Sequence, residues 1–398
     1  DFMAAKLKAH GWEYIVEDIQ WYEASAKGHD YKPGAKLAMD EFSRLVPSPE
    51  KFPSAANGQG FKPLADYVHA KGLKFGIHMM RGISRQAVQQ NTPIQGTSYR
   101  AADIADTKSI CKWNPDMYGV DMSKPGAQEY YDSLIQLVAS WGVDFIKVDD
   151  ISRPYDAVQK AEIEGIRKAI DKTGRPIVFS LSPGDTPLSA GAHVNQHANM
   201  WRISDDFWDG WGQLLSQFKR LHDWTPHRRP GAFPDADMLP LGRIKFGKPT
   251  RFTRDEQYTL MSLWSIARSP LMHGGDLTKT DDFTLSLLTN DEILAVNQHS
   301  ANNRQLFRTD DGLIAWIAAV PGSNDKYLAV FNTGNAPKDS PKGATVKVPV
   351  DLAALGLKPP VNVRDLWTKT DLAPVTAADF TSEVPFHGAR LFRLSPSS

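Results

Sequence analysis

Through its first two-thirds the chain alternates short apolar runs with longer stretches whose apolar residues recur at helical spacing. The runs 12–19, 73–79, 143–149, 176–182, 198–204, 232–238 and 269–273 have the length and the Gly or Pro boundaries of strands. Stretches 61–71, 125–141, 156–172, 208–223 and 253–267 predict helices between them. Ser123-Lys124-Pro125 marks a helix start, and Gly72 and Gly174 mark helix ends. Strand, loop, helix, Gly, strand is the pattern of β/α units around a parallel sheet.

Seven such strands are one short of the eightfold closed barrel, and residues 1–9 read as helix. The reading is therefore a (β/α)8 TIM barrel whose first strand lies upstream of residue 1. A doubly wound open sheet is the rival, but no Gly-rich phosphate loop follows any strand. From residue 303 short β-rich runs alternate with turn clusters such as Asp310-Asp311-Gly312. The expected division is a catalytic barrel over 1–298 and an antiparallel β domain, a β-sandwich, over 299–398.

Composition narrows the chemistry. The 398 residues carry 46 Lys plus Arg against 46 Asp plus Glu, so no excess charge draws the chain to nucleic acid or to an acidic membrane surface. No apolar run approaches the roughly 18 residues of a membrane span. Cys111 is the one cysteine, which excludes an intrachain disulfide and a Cys-rich zinc site. Aromatic residues stand beside polar ones at Trp21-Tyr22, Lys112-Trp113, Trp201-Arg202 and Phe207-Trp208. Flat rings beside polar groups suit sugar faces, although each ring singly also suits a core or its rim.

Barrel enzymes place reactive groups at the C-terminal ends of strands. Two apolar runs end in acidic doublets, Asp149-Asp150 and Asp205-Asp206. Side chains alternate across a strand, so Phe145, Lys147 and Asp149 share one face, and Arg202, Ser204 and Asp206 share one on the other run. Parity selects Asp149 and Asp206, each with a cation two or four residues earlier. A retaining glycosidase needs such a pair about 5–5.5 Å apart, one ionised to attack the anomeric carbon and one protonated to release the leaving oxygen. A strand-end Asp also caps helices or pairs with a cation, so the residues alone leave both readings open.

At these residues the chain resembles glycoside hydrolase family 27, the melibiase-like α-galactosidases. Gly142-Val-Asp-Phe-Ile-Lys-Val-Asp149 is similar to the family's nucleophile strand, and Trp201-Arg202 followed by Asp206 to its acid/base segment. Gly11-Trp12-Glu13-Tyr14-Ile15, Leu73-Lys74-Phe75-Gly76-Ile77, Pro230-Gly231 with Asp235-Ala-Asp-Met-Leu239, and Ile293-Leu-Ala-Val-Asn-Gln298 follow in family order. The resemblance implies a retaining exo-acting α-galactosidase working by double displacement on a terminal α-D-galactoside, with Asp149 the nucleophile and Asp206 the acid/base. It implies that Lys147, Arg202 and Asp18 contact sugar hydroxyls, with Trp21, His78 and Trp113 lining the site, and no metal or organic cofactor. The partner is a glycoside or oligosaccharide ending in a galactose-like sugar.

The departures bear on the sugar. The family's Asp-Asp-Cys-Trp stands here as Asp18-Ile19-Gln20-Trp21, and an apolar Ile19 cannot accept a hydroxyl bond near O4 or O6. A sugar without the exocyclic hydroxymethyl, such as β-L-arabinopyranose, loses least. Ser182-Pro183-Gly184-Asp185 replaces the family's Cys-Glu-Trp near O2, and His78 replaces a Tyr. A β-L-arabinopyranosidase, an α-N-acetylgalactosaminidase and a non-catalytic carbohydrate-binding relative are the alternatives. The segment 109–118, with Cys111, Trp113 and Asp116, reads as a loop on the sugar side. His193 and His197 have the i,i+4 spacing of metal ligands, but no Glu follows His193 as a zinc hydrolase motif requires. Secretion or export to a periplasm is the expected localisation, with the cytoplasm as the other option.

Overall fold

The computed structural model describes residues 1–28 and 30–397. The chain divides into two units, one of residues 3–205 with 229–232, the other of residues 206–228 with 233–398.

In the first unit five strands run parallel: β1 (Tyr14–Glu17), β2 (Lys74–Met80), β3 (Phe145–Asp149), β4 (Val178–Leu181) and β5 (Met200–Arg202). Helices α1 (Lys62–Ala70), α2 (Ala127–Ser140), α3 (Ala157–Thr173) and α4 (Gly191–His197) connect them. Local chemistry sets the helix ends. Asp156 accepts the amides of Val158 and Gln159 and so caps α3, while Gly174 closes it at φ 68°. On α2 the apolar residues Tyr130, Tyr131, Leu134, Ile135 and Val138 form one buried stripe. That helix starts two residues after Pro125, with Gly126 at its N-cap, later than the sequence pattern indicates.

The register lines up the residues of interest. Val16 pairs with Gly76, His78 with Lys147, Lys147 with Ser180, and Ser180 with Met200. Paired residues of parallel strands point to the same side, so Asp18, His78, Lys147, Asp149 and Arg202 fall on one face of the sheet.

After β2 the chain makes a small antiparallel sheet of Ile83–Ser84, Ala105–Ile110 and Met117–Val120. Part of this was expected as loop, because the polar run Ala105–Ile110 has no alternating apolar face. Gly82 makes the turn possible: it lies at φ 88°, and a Cβ there would stand 1.9 Å from the Tyr118 carbonyl oxygen.

The second unit contains α5 (Trp211–Trp224), β6 (Phe233–Asp235), α6 (Arg254–Ala267), α7 (Asp282–Leu288) and α8 (Asp291–His299). Thr253 and Glu256 form a capping box that starts α6. The seventh expected strand, 269–273, is reduced to one parallel bridge between Leu239 and His273. Pro270 has no N–H to give to a ladder, which shortens the pairing.

The antiparallel domain follows. One sheet orders Ala301–Arg308, Leu313–Ala319, Lys326–Asn332, Gly388–Pro396, Val361–Asp365 and Thr370–Val375; a second pairs Thr345–Asp351 with Asp379–Pro385. Both strands of the pair bury alternate residues, and their Val348, Val350, Phe380 and Val384 share a core with Leu328, Val330, Phe392 and Leu394 of the larger sheet. The fold class is the one the pattern predicts, a TIM barrel followed by an antiparallel β-sandwich. No helix among the described residues is long and apolar enough to cross a membrane.

A buried ionic network ties the first unit together. Arg81 Nη1 donates to Glu162 Oε2 at 2.9 Å and its Nη2 lies 3.1 Å from Asp150 Oδ2. Glu162 Oε1 also accepts the Tyr131 hydroxyl at 2.6 Å and the Val120 amide at 3.0 Å. Removing one partner of a buried pair strands the other's charge. We expect Arg81→Met to cost about 3–5 kcal/mol, read as a lower midpoint in urea; an unchanged midpoint would show that the network carries no stability.

Candidate active site

Asp149 ends β3, and its carboxylate is fully engaged on the side facing the protein. Oδ2 accepts His78 Nε2–H at 2.8 Å, and Oδ1 accepts the Asp150 amide at 2.8 Å. Burial pushes its pKa up, but the His78 hydrogen bond and charge, the Lys147 charge and the Asp150 amide together bring it down to about 2. Asp149 is therefore ionised throughout the neutral and mildly acidic range.

His78 is 1% exposed. Its carbonyl oxygen accepts the Trp21 indole N–H at 2.7 Å. Trp21 is itself buried, edge-on to Tyr22, Phe61 and Trp141. The structure thus places Trp21 as a support behind His78, and places His78 on the carboxylate.

Asp18 follows β1 and opens to solvent on one side. Packing around its carboxyl pushes the pKa up, but Lys147, His78 and the Ile19 amide, which donates to Oδ1 at 2.9 Å, hold it below the usual carboxylate range. The same charges act on Asp18 and Asp149, so the structure brings together Asp18, His78, Lys147 and Asp149. Arg202, at the end of β5, is 2% exposed, and its Nη2 donates to the Ser204 carbonyl at 3.1 Å. The Thr186 hydroxyl donates to the Arg202 carbonyl at 2.6 Å, which draws the 182–186 loop over the strand end. Gly184 is required there, since a Cβ would lie 1.9 Å from the Ser204 carbonyl oxygen.

Trp113 is 37% exposed and its ring lies 5.3 Å from that of Tyr31. Asp206 opens the second unit and is exposed; its carbonyl accepts Gln213 Nε2–H at 3.4 Å. Its doublet partner Asp205 pairs with Arg153 at 2.7 Å.

Several supporting residues escape the sequence pattern. Asp150 sits at φ 59°, and burial, then the charge of Asp149, push its pKa up to about 6 against the pull of Arg81 and Cys111. Burial and Asp150 likewise push the Cys111 thiol up to about 12, which keeps it protonated and unreactive. Gln20 Nε2 donates to Asp116 Oδ2 at 2.6 Å and so pins the segment after β1. A strand-end arginine was the available signal for Arg81, and Asp116 was placed only as part of the 109–118 loop; Glu162 gave none, because its partners lie far away in sequence.

One metal-ligand constellation occurs among the described residues, Glu164 with His193 and His197, whose ligand atoms lie within 4.8 Å of one another. His193 already bonds Glu164 at 3.0 Å and the Tyr155 hydroxyl at 2.7 Å. The cluster shares no residue with the carboxylate site. A concavity lined by Tyr14, Lys74, Asp144 and Arg175 lies at the N-terminal ends of the strands, the end where barrels carry stability rather than chemistry.

A family described as alpha galactosidase A matches residues 119–299, and one described as alpha galactosidase C-terminal beta sandwich domain matches residues 310–394. The chain is similar to alpha-galactosidase 3 of Arabidopsis thaliana, 29% identical over 373 residues, which are 92% of this chain and 72% of that one. It is 51% identical to a β-L-arabinopyranosidase of family 27 from Geobacillus stearothermophilus, with TM-score 0.94 over 100% of this chain and 91% of that one. An Asp-to-Ala variant of that enzyme in complex with arabinose matches at 50% identity and TM-score 0.94, over 100% and 92%.

Because Asp149 is depressed in the folded chain, its ionisation stabilises the fold above the ordinary carboxylate pKa, and that stability is lost as pH falls through about 2. His78→Phe removes the bond and the charge while burial remains. We expect the Asp149 midpoint in a 13C-carboxyl titration to rise into or above the ordinary carboxylate range; a midpoint still at about 2 would show that His78 does not hold it.

Proposed function

Because the chain belongs to glycoside hydrolase family 27, we propose that it is a retaining exo-glycosidase that removes terminal β-L-arabinopyranosyl residues, with α-D-galactosides as its second substrate class. Glycosidase activity follows from membership of the family; the mechanism and the sugar are the proposal.

Asp149, held ionised by His78 and Lys147, attacks the anomeric carbon. The bond to the leaving oxygen breaks as Asp206, assigned by its place in the matched segment, gives that oxygen its proton. Water then attacks the glycosyl-enzyme, its proton passes to Asp206, and the Asp149 carboxylate is released. Lys147, Asp18 and Arg202 supply donors and an acceptor for ring hydroxyls.

The observation that carries the choice of sugar is the Asp18-Ile19 step. One carboxylate stands beside His78 and Lys147 at the end of β1, and the next side chain is apolar. β-L-Arabinopyranose shares the ring configuration of α-D-galactopyranose and lacks its hydroxymethyl group, so it asks nothing of a second acceptor. The likeness at 51% identity to a β-L-arabinopyranosidase supports the same order. The α-galactosidase reading keeps second place on the Arabidopsis relative.

We expect 4-nitrophenyl β-L-arabinopyranoside to be cleaved with a higher kcat/KM than 4-nitrophenyl α-D-galactopyranoside, with retention seen by NMR in the first-formed sugar. The reverse order would make the chain an α-galactosidase. Ile19→Asp should move the ratio toward the galactoside by about tenfold, the worth of one hydrogen bond to a charged group.

Asp149→Asn should lower kcat by on the order of 10³-fold or more, as removal of a nucleophile does. Residual turnover near the wild-type rate would remove Asp149 from the nucleophile role. A wild type that binds sugar and turns over neither glycoside would leave only the carbohydrate-binding reading.

A further inference from the structure

A groove of about 660 Å³ opens in the second unit, lined among others by Trp208, Gln213, Ile244, Lys245, Phe246 and Arg251. We propose that it is the leaving-group subsite, taking the sugar residue to which the terminal pyranose is attached. The proposal rests on the glycosidase reading and on Asp206 as its acid.

Its position follows from the chain. Trp208 stands two residues after Asp206. Gln213 accepts the Trp208 amide on Oε1 at 3.0 Å and donates from Nε2 to the Asp206 carbonyl at 3.4 Å. One groove residue thus fixes the backbone of the acid and of the first aromatic wall. A group leaving from the anomeric carbon carries its oxygen to the Asp206 proton, so its remaining atoms must lie on the Asp206 side of the reaction.

The second wall is built to be exposed. Residues 242–250 form a hairpin, with Ile244 N–H donating to the Lys248 carbonyl at 2.8 Å and Thr250 N–H to the Gly242 carbonyl at 2.8 Å. Phe246 lies at its tip at φ 58°, a conformation costly for a bulky side chain, and is 86% exposed. Arg251 anchors the hairpin to the segment after Asp206: its amide donates to Asp209 Oδ2 at 2.7 Å and its Nη2 to Oδ1 at 3.1 Å. Lys245 Nζ stands 5.6 Å from the Trp208 ring centroid and 5.5 Å from that of Phe246. Two aromatic faces with an ammonium and an amide beside them fit a pyranose, whose C–H faces stack on rings and whose hydroxyls take polar contacts. Among the described residues, neither burial nor packing accounts for the open ring of Phe246, which is 86% exposed.

The test separates the leaving group from the glycosyl group. A glycosyl fluoride has no leaving sugar, whereas a disaccharide such as melibiose does. In Phe246→Ala the ratio of kcat/KM for melibiose to that for α-D-galactosyl fluoride should fall about tenfold, and Trp208→Ala should act in the same direction. Phe246→Tyr, which keeps the ring, should restore the ratio. Melting temperatures identify any variant that fails to fold, and Phe246→Gly, at ease at positive φ, then serves in place of Ala.

An unchanged ratio in both Phe246→Ala and Trp208→Ala overturns the proposal. So does a loss on both substrates together with a smaller particle by light scattering, which would make the hairpin a contact between copies of the chain. A wild type inactive on both the fluoride and 4-nitrophenyl β-L-arabinopyranoside overturns the glycosidase reading itself and the subsite with it, an outcome distinct from a fluoride-active enzyme with an unchanged ratio.

Discussion

An ionised carboxylate buried at the end of a barrel strand is the constraint around which the first unit is arranged. Removing Asp149 from water disfavours its charge, and that penalty is the largest single influence on it. It stays ionised because both oxygens are bonded and because His78 and Lys147 stand on the same face. Each compensating group is held in turn. Trp21 fixes the backbone of His78, an aromatic cluster fixes Trp21, and Gln20 with Asp116 fixes the segment between Asp18 and Trp21. The chemistry of one oxygen atom is thus distributed over three elements.

The adjacent Asp150 shows how finely this depends on surroundings. Two consecutive aspartates differ by about four pKa units, one near 2 and the other near 6. Alternation along β3 turns Asp149 toward His78 and Lys147, whereas Asp150, at positive φ, turns toward Arg81 and the protonated Cys111. Burial raises both. Asp149 then gains the His78 hydrogen bond, the Lys147 charge and an amide, while Asp150 shares its one arginine with Glu162 and feels the negative charge of its neighbour.

What could be read in the sequence follows from the range of each interaction. Strand parity put Lys147 and Asp149 on one face, and capping chemistry and glycine put most helix ends within a residue or two, because both signals are local. The catalytic assignments rested on motifs carried by single strands. Glu162 lies 81 residues from Arg81, and Asp116 lies 96 from Gln20, so no local pattern joins them. Trp21 was visible as an aromatic beside the site, but its burial depends on Phe61 and Trp141, which only the folded chain brings to it. Polar strands such as Ala105–Ile110 were missed for a related reason: their partners, and not their own periodicity, make them strands.

Ile19 affects the charge balance as well as the hydrogen bonding. The charge of Asp149 raises the cost of ionising Asp18, and Lys147 and His78 lower the pKa of both. A third carboxylate at position 19 would add negative charge next to Asp18 in the chain, and a negative charge near Asp149 pushes its carboxyl up, away from the ionised state. A chain that keeps His78 on an ionised Asp149 has reason to keep position 19 neutral. On the proposed reading, the sugar that fits a neutral residue there is one that offers no hydroxymethyl group to it, which couples the proposed choice of substrate to the electrostatics that keep Asp149 ionised.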